Sequence, residues 1–264
     1  MTPATRPLAL VTGASSGIGI DLARELARDG HDLVLSARRV EPMQTLAEEL
    51  KAHGATAHII GADLSKPGSA AALVEELQRR GLNIDVLINN AGLGANGWVH
   101  EIDPIRVSEM LQVNVVALTE LTRLLLPGML ARDRGGVMLV GSTAGFQPGP
   151  NMAIYCATKA YVLSLGEALS YELRNSAVTV TTLCPGVTAT GFAAVARAGD
   201  TALFGRSSLP VMSSAEVARI GYRAFKAHRR VVVTGWRNKF TAFFGRFSPH
   251  FVSLPITNKL MSPH

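Results

Sequence analysis

Short, continuously apolar runs alternate along the chain with longer stretches in which apolar residues recur every three or four positions. The runs at 8–12, 32–36, 57–61, 86–89, 137–140, 178–183 and 231–234 have the length of strands. The stretches at 17–29, 41–53, 69–80, 104–126, 155–175 and 214–228 have the period of amphipathic helices. Runs such as Leu33, Val34 and Leu35, or Val137, Met138, Leu139 and Val140, carry no polar face, so both faces of their sheet must be covered. The pattern predicts an α/β fold, a doubly wound parallel sheet of about seven strands with helices on both faces.

Two regions fall outside the alternation. Residues 187–212 form a connection longer than usual, rich in Ala, Gly and Phe, which suits a substrate loop. Residues 236–264 extend the same domain, 1–235, as a basic amphipathic segment: Trp236, Phe240, Phe243, Phe244 and Phe247 share one helical face among Arg237, Lys239 and Arg246, until Pro249 stops the pattern. Such a helix either covers a pocket or subunit interface, or lies peripherally on an anionic membrane through 236–251. A nucleic-acid partner is disfavoured, because stacking rings would line a groove rather than a helix face.

Composition narrows the class. The 264 residues are 47% hydrophobic and 17% charged, with a mean hydropathy of +0.22, which describes a folding chain and not a disordered one. Cys156 and Cys184 cannot build a disulfide framework or a C-x-x-C metal or redox site, so no metal is expected and a reducing, cytoplasmic compartment is. The first apolar run breaks at Gly13, too early for a signal peptide, and no uninterrupted apolar stretch is long enough to predict a transmembrane helix. The net charge of +6 is uneven: after Glu216 the chain holds nine cations and no anion.

The first strand runs through Thr12, Gly13, Ala14, Ser15, Ser16, Gly17, Ile18 and Gly19 into a helix. Glycines at a strand-to-helix turn let backbone N–H groups close on a phosphate, and the helix N-terminus adds positive partial charge, so the turn is expected to hold a pyrophosphate. The same residues spell G-x-S-x-G, which keeps open a serine hydrolase with Ser15 as nucleophile, provided that an acid and a histidine follow. The second strand ends at Ser36, Ala37, Arg38 and Arg39, with no carboxylate there; Asp32 lies at the strand's other end. Arginines in that place favour NADP(H) over NAD(H), because they accept a 2′-phosphate.

Tyr155 and Lys159 stand four residues apart at the start of a predicted helix, and a nearby ammonium is expected to lower the tyrosine pKa. Such a phenol exchanges a proton with a carbonyl or alcohol oxygen. Ser142, at the end of the fifth predicted strand, reaches the same point; Asn89, Asn90, Ala91 and Gly92 close the fourth, and Asn114 lies in the following helix.

Together these motifs resemble the short-chain dehydrogenase/reductase family over about residues 8–234: T-G-x-x-x-G-x-G at 12–19, N-N-A-G at 89–92, Ser142, Y-x-x-x-K at Tyr155 and Lys159, and P-G at Pro185 and Gly186. The resemblance implies a Rossmann fold and an NADP(H)-dependent oxidoreductase, with Tyr155 as general acid and base, Ser142 orienting the carbonyl, and Lys159 holding the nicotinamide ribose. It implies that Asn114 anchors a proton-relaying water, that Asp63 meets the adenine beside Leu64, and that Asn90 and Gly92, with Ala91 between them, flank the adenosine ribose. Pro185, Gly186, Val187 and Thr190 would contact the nicotinamide, and Gly13, Ser15, Ser16, Gly17, Ile18 and Gly19 the pyrophosphate. One departure stands out, because relatives that prefer NADP often carry a base inside the glycine turn and Ser15 stands here. The phosphate then falls to Arg38, alone or with Ser36 and Arg39. Pocket walls are expected from Trp98, Phe146, Met152, Phe192 and Phe204, which suits a small hydrophobic ketone, aldehyde or alcohol in a homodimer or homotetramer. The non-enzyme alternative is a nucleotide-binding regulatory protein that keeps this fold without turnover.

Overall fold

In a computed structural model, which describes residues 6–192, 196 and 211–262, the seven apolar runs become seven strands of one sheet. They are β1 (Leu8–Thr12), β2 (Asp32–Ala37), β3 (Ala57–Gly61), β4 (Val86–Asn89), β5 (Gly135–Val140), β6 (Val178–Cys184) and β7 (Val231–Val233). Their order is β3-β2-β1-β4-β5-β6-β7, and every neighbouring pair is parallel. Val11 at the centre pairs with Leu35 on one side and Ile88 on the other.

Alternate strand residues feed two cores. Leu10, Val34, Leu87, Val137 and Leu139 pack under α3 (Ser69–Arg79), α5 (Leu118–Ala131) and α6 (Ala153–Glu172). Val11, Leu33, Leu35, Ile88 and Met138 pack under α1 (Ile18–Arg28), α2 (Glu41–Leu50) and α7 (Ser214–Lys226). Continuously apolar strands follow from this geometry, since neither face of the sheet meets water. Polar ties fix α7 on α1: the Ser214 hydroxyl donates to Asp21 (2.6 Å) and Tyr222 donates to Asp29 (2.7 Å).

The helix expected at 104–126 is longer and less regular. It begins as α4 (Pro104–Leu111), capped by the Asp103 carboxylate on the Ile105 N–H, passes through a π-helical segment, Gln112–Ala117, and continues as α5. It runs through Pro127 because that residue is exposed, where water can serve the Arg123 carbonyl that the proline leaves unbonded. By length and composition Pro104–Ala131 could cross a membrane, which the count of uninterrupted apolar residues did not foresee. Its inner face, however, buries Leu118, Leu121 and Met129 in the protein core.

The tail departs further from expectation. The anticipated helix is present as α8 (Trp236–Phe247), but Pro249 caps a second helix, α9 (His250–Met261), and does not end the helical structure. Pro255 sits inside α9 with its side toward solvent, the same tolerance as at Pro127. A two-residue parallel pair, Thr188–Ala189 with Met212–Ser213, closes the base of the expected substrate loop; Phe204 lies outside the described residues.

Candidate active site

The glycine turn occupies the C-terminal edge of the sheet between β1 and β4, where the strand order reverses. Gly13 and Gly17 adopt left-handed conformations, φ 67° and 57°, and a Cβ on Gly19 would overlap the Gly13 carbonyl and the Asn90 amide. Gly17 leaves the start of α1 without a side-chain cap, and Gly17 and Ile18 line the cavity at that helix end. Thr12 braces the turn: its hydroxyl accepts from the Asn90 and Ala91 N–H groups (both 3.1 Å), and the Asn90 amide donates to the Thr12 carbonyl (2.9 Å). Thr190 approaches from above, its methyl 3.0 Å from where a Gly17 Cβ would stand.

At the far side of this turn the Ser36 hydroxyl is buried with no hydrogen-bond partner among the described residues. Arg38 lies exposed beside it, and Arg39 donates to the Ser15 carbonyl (3.3 Å). Burial pushes the Asp63 carboxyl up, but hydrogen bonds from the Ser65 hydroxyl (2.7 Å) and N–H (3.1 Å), with Arg38 and Lys66 nearby, leave it below its ordinary value. An orphaned hydroxyl, a cation and a glycine cradle that no side chain can fill fit an adenosine dinucleotide.

At the other end, β5 delivers Ser142, whose hydroxyl accepts from the Ala144 N–H (3.1 Å) and caps the turn Thr143–Phe146. The first turns of α6 carry Tyr155 and Lys159, both buried. The Lys159 ammonium donates to the Val140 carbonyl (2.8 Å) and stands 5.8 Å from the Tyr155 ring centroid. The expected lowering of the tyrosine pKa is not found: burial pushes the phenol above its ordinary value, against a partial lowering by the Ser142 hydroxyl. The same burial brings Lys159 down to about 8. In so dry a pocket desolvation outweighs a cation held by a backbone carbonyl.

One cavity of about 820 Å³ joins the two ends. It is lined by Gly13, Ser15, Ser16, Gly17, Ile18, Ser36, Arg38, Arg39, Asp63, Leu64, Asn90, Ala91, Gly92, Ser142, Met152, Tyr155, Lys159, Pro185, Gly186, Val187, Thr190 and Phe192. Phe192 stacks near Tyr155, centroids 5.2 Å apart. Other expected residues stand elsewhere. Trp98 is 53% exposed and away from the cavity, because its loop turns outward, and Phe146, half-buried in its short turn, does not line the cavity either. Gly19 supports the turn from behind. Asn114 is buried in the π segment, where its amide accepts from the Leu93 N–H (2.8 Å) and donates to the Leu93 carbonyl (2.8 Å) and the Thr158 hydroxyl (3.0 Å). Its side chain is thereby committed to positioning the loop after β4. No histidine among the described residues lines the cavity with Ser15, so a serine nucleophile lacks its base there.

In keeping with the expectation that the tail covers a pocket, Arg237, Asn238, Thr241, Thr257, Leu260 and Met261 build one wall of the cavity, though none of them was among the expected pocket residues. Asn238 packs so closely on Gly186 that a Cβ there would overlap its amide. The signal for this wall was the small or polar stripe Asn238, Ala242 and Gly245, on the helix face opposite the rings. Hydrogen bonds from the Asn96 amide to the Met261 carbonyl (2.9 Å) and from the Asn151 amide to Asn258 (3.0 Å) and Ser262 (3.1 Å) hold α9 in place.

Comparison with known proteins places this geometry. The sequence model of the short chain dehydrogenase family matches residues 7–201. The NADP-dependent 3-hydroxy acid dehydrogenase YdfG of Salmonella typhi is 36% identical over 195 residues, covering 73% of this chain and 77% of that protein. The solved short-chain dehydrogenase from Sphingobium yanoikuyae in complex with NADPH is 33% identical with a TM-score of 0.79, covering 90% of this chain and 92% of its own. The bulky-bulky ketone specific alcohol dehydrogenase from Comamonas testosteroni is 32% identical with a TM-score of 0.76, covering 92% and 94% respectively.

Proposed function

The chain belongs to the short-chain dehydrogenase/reductase family and is an oxidoreductase of CH–OH and C=O groups; from that premise we propose that it prefers NADP(H) and reduces a hydrophobic ketone or aldehyde, with Tyr155 as the acid. Bound along the cavity, a nicotinamide dinucleotide supplies the hydride. The protein's own residues do the rest. The substrate oxygen accepts a hydrogen bond from Ser142 and takes the proton of Tyr155, which burial keeps protonated. The Lys159 cation steadies the phenolate that remains and hydrogen-bonds the ribose hydroxyls. Arg38 and the unpaired Ser36 hydroxyl receive the 2′-phosphate.

The convergence of Ser142, Tyr155 and Lys159 at one end of a cavity, with the glycine cradle and Arg38 at the other, carries this reading. Met152, Phe192, Leu260 and Met261 in the lining favour an apolar substrate, and the similarity to a ketone-specific dehydrogenase points the same way. Outward apolar residues on α4 and α5, among them Ile105, Leu111 and Leu124, suit a homo-oligomer. Free, buried Cys156 and Cys184 suit a reducing cytoplasmic compartment. A panel of ketones assayed by loss of reduced-nicotinamide absorbance tests the proposal. Tyr155→Phe is expected to lower kcat by about 10²- to 10⁴-fold with cofactor binding kept; a variant that still turns over normally removes Tyr155 from its role.

A further inference from the structure

The two C-terminal helices are turned inside out. Toward the protein body α8 presents Asn238, Ala242 and Gly245, and α9 presents Ser253, Thr257 and Met261. Their large apolar side chains face the other way: Trp236 is 75% exposed, Phe247 67% and Phe251 80%, with Phe240, Phe243 and Ile256 also outward. A surface helix ordinarily buries that face, and a contiguous exposed apolar patch marks a contact with something other than water.

Charge identifies the partner. On the wheel of α8, Arg237 borders the aromatic arc on one side, and Lys239 and Arg246 on the other; Lys259 rises from α9. No acidic residue follows Glu216 in the sequence, and of these four cations, among the described residues, Arg246 alone has a carboxylate neighbour, Glu167 at 3.5 Å. Two copies meeting about a two-fold axis through this face would set like charge against like. An anionic lipid surface meets both halves of the pattern, with rings in the acyl boundary and cations among the headgroups.

We propose that α8 and α9 dock the protein on an anionic lipid bilayer. Arg237, Thr241 and Leu260 line the cavity and also reach the surface of these helices, so docking brings the cavity mouth to the lipid. An apolar carbonyl compound dissolved in the bilayer then enters without crossing water. This delivery rests on the reductase reading; the docking itself does not.

The test is flotation of the full-length protein, loaded with NADPH, on vesicles of phosphatidylcholine and phosphatidylglycerol in equal parts and on phosphatidylcholine alone. Binding to the mixed vesicles, weak binding to the neutral ones and release by salt are expected. The double substitution Phe243→Ser with Phe247→Ser is expected to lower partitioning by about tenfold or more, and Lys239→Glu with Lys259→Glu to abolish the preference for anionic lipid. Thermal unfolding and turnover of a water-soluble ketone without vesicles, both unchanged, show that these variants fold. Folded wild type that ignores the mixed vesicles overturns the proposal. So does a Phe243/Phe247 variant that floats like wild type, whatever its sedimentation. Vesicle binding by a wild type that turns over no ketone leaves the docking standing and removes the reductase reading alone.

Discussion

Lys159 shows how a single buried side chain can set stability against function. Among the described residues no carboxylate lies within ion-pair distance of its ammonium, which is held by the Val140 carbonyl, and burial brings its pKa from 10.5 down to about 8. The unfolded side chain keeps the ordinary value, so folding holds a poorly solvated cation at neutral pH. The destabilisation, roughly 3 kcal/mol on the linkage of the two values, is complete below the folded value and disappears as pH rises toward the unfolded one. Lys159→Met is therefore expected to raise the urea unfolding free energy of the cofactor-free protein at about pH 7, to raise it less at about pH 9.5, and to lose turnover. Equal gains at both pH values would count against a buried cation. Arg38 poses a different residue-scale question, because it is exposed and stands beside the orphaned Ser36 hydroxyl. Arg38→Ala is expected to weaken NADPH by roughly 1.5–3 kcal/mol, as for a lost charge-assisted contact, and NADH far less; calorimetric titration of both nucleotides reads the difference. That residue was legible from its place just beyond a strand. The direction of the Tyr155 shift was not, since spacing records which groups are near each other and not how dry their surroundings are.

At the scale of elements, the strands were readable because a sheet covered on both faces demands unbroken apolar runs, and the expected and observed bounds differ by at most two residues. The irregular pieces escaped because tertiary contacts decide them. The π segment Gln112–Ala117 carries no local signature. What it achieves is to bring Asn114 against Leu93, whose N–H and carbonyl both bond to that amide. A Cβ on the neighbouring Gly92 would stand 3.5 Å from the Asn114 oxygen and 3.6 Å from the Lys159 ammonium, so the loop held by this bracket passes beside the lysine. Asn114→Ala strands both Leu93 groups in the core, at a cost of about 1–3 kcal/mol each. The thermal midpoint is expected to fall by several degrees, roughly 2–4 °C per kcal/mol for a chain of this size. Because Gly92, which stands beside the Lys159 ammonium, belongs to the loop that Asn114 holds, KM for the cofactor should rise as well. Scanning calorimetry with and without NADPH checks the first effect, and an unchanged midpoint would show that the loop after β4 is held by something else.

Over the whole molecule, the cavity draws its two ends from different parts of the chain, and this separation is testable. The cofactor end rests on the edge of the sheet at β1, β2 and β4, whereas the substrate end is closed by the start of α6 and by α9. Met261 joins α9 to that wall: its thioether lies 2.9 Å from where a Cβ on Gly149 would stand, and it packs in the same cluster as Met152, Tyr155 and Cys156. The sequence concealed this, because a residue so near the chain end, after two prolines, carries no sign of folding back over residue 149. Met261→Ala opens the substrate end alone, with the Asn96 hydrogen bond kept, since that bond goes to the Met261 backbone. The expected result is a rise of about tenfold or more in KM for a bulky ketone, and an NADPH dissociation constant that moves less than about twofold, because no glycine-turn or Arg38 contact is touched. A parallel loss of NADPH affinity would mean that α9 supports the whole cavity as one unit, and the division between a fixed cofactor half and a tail-built substrate half would have to be given up.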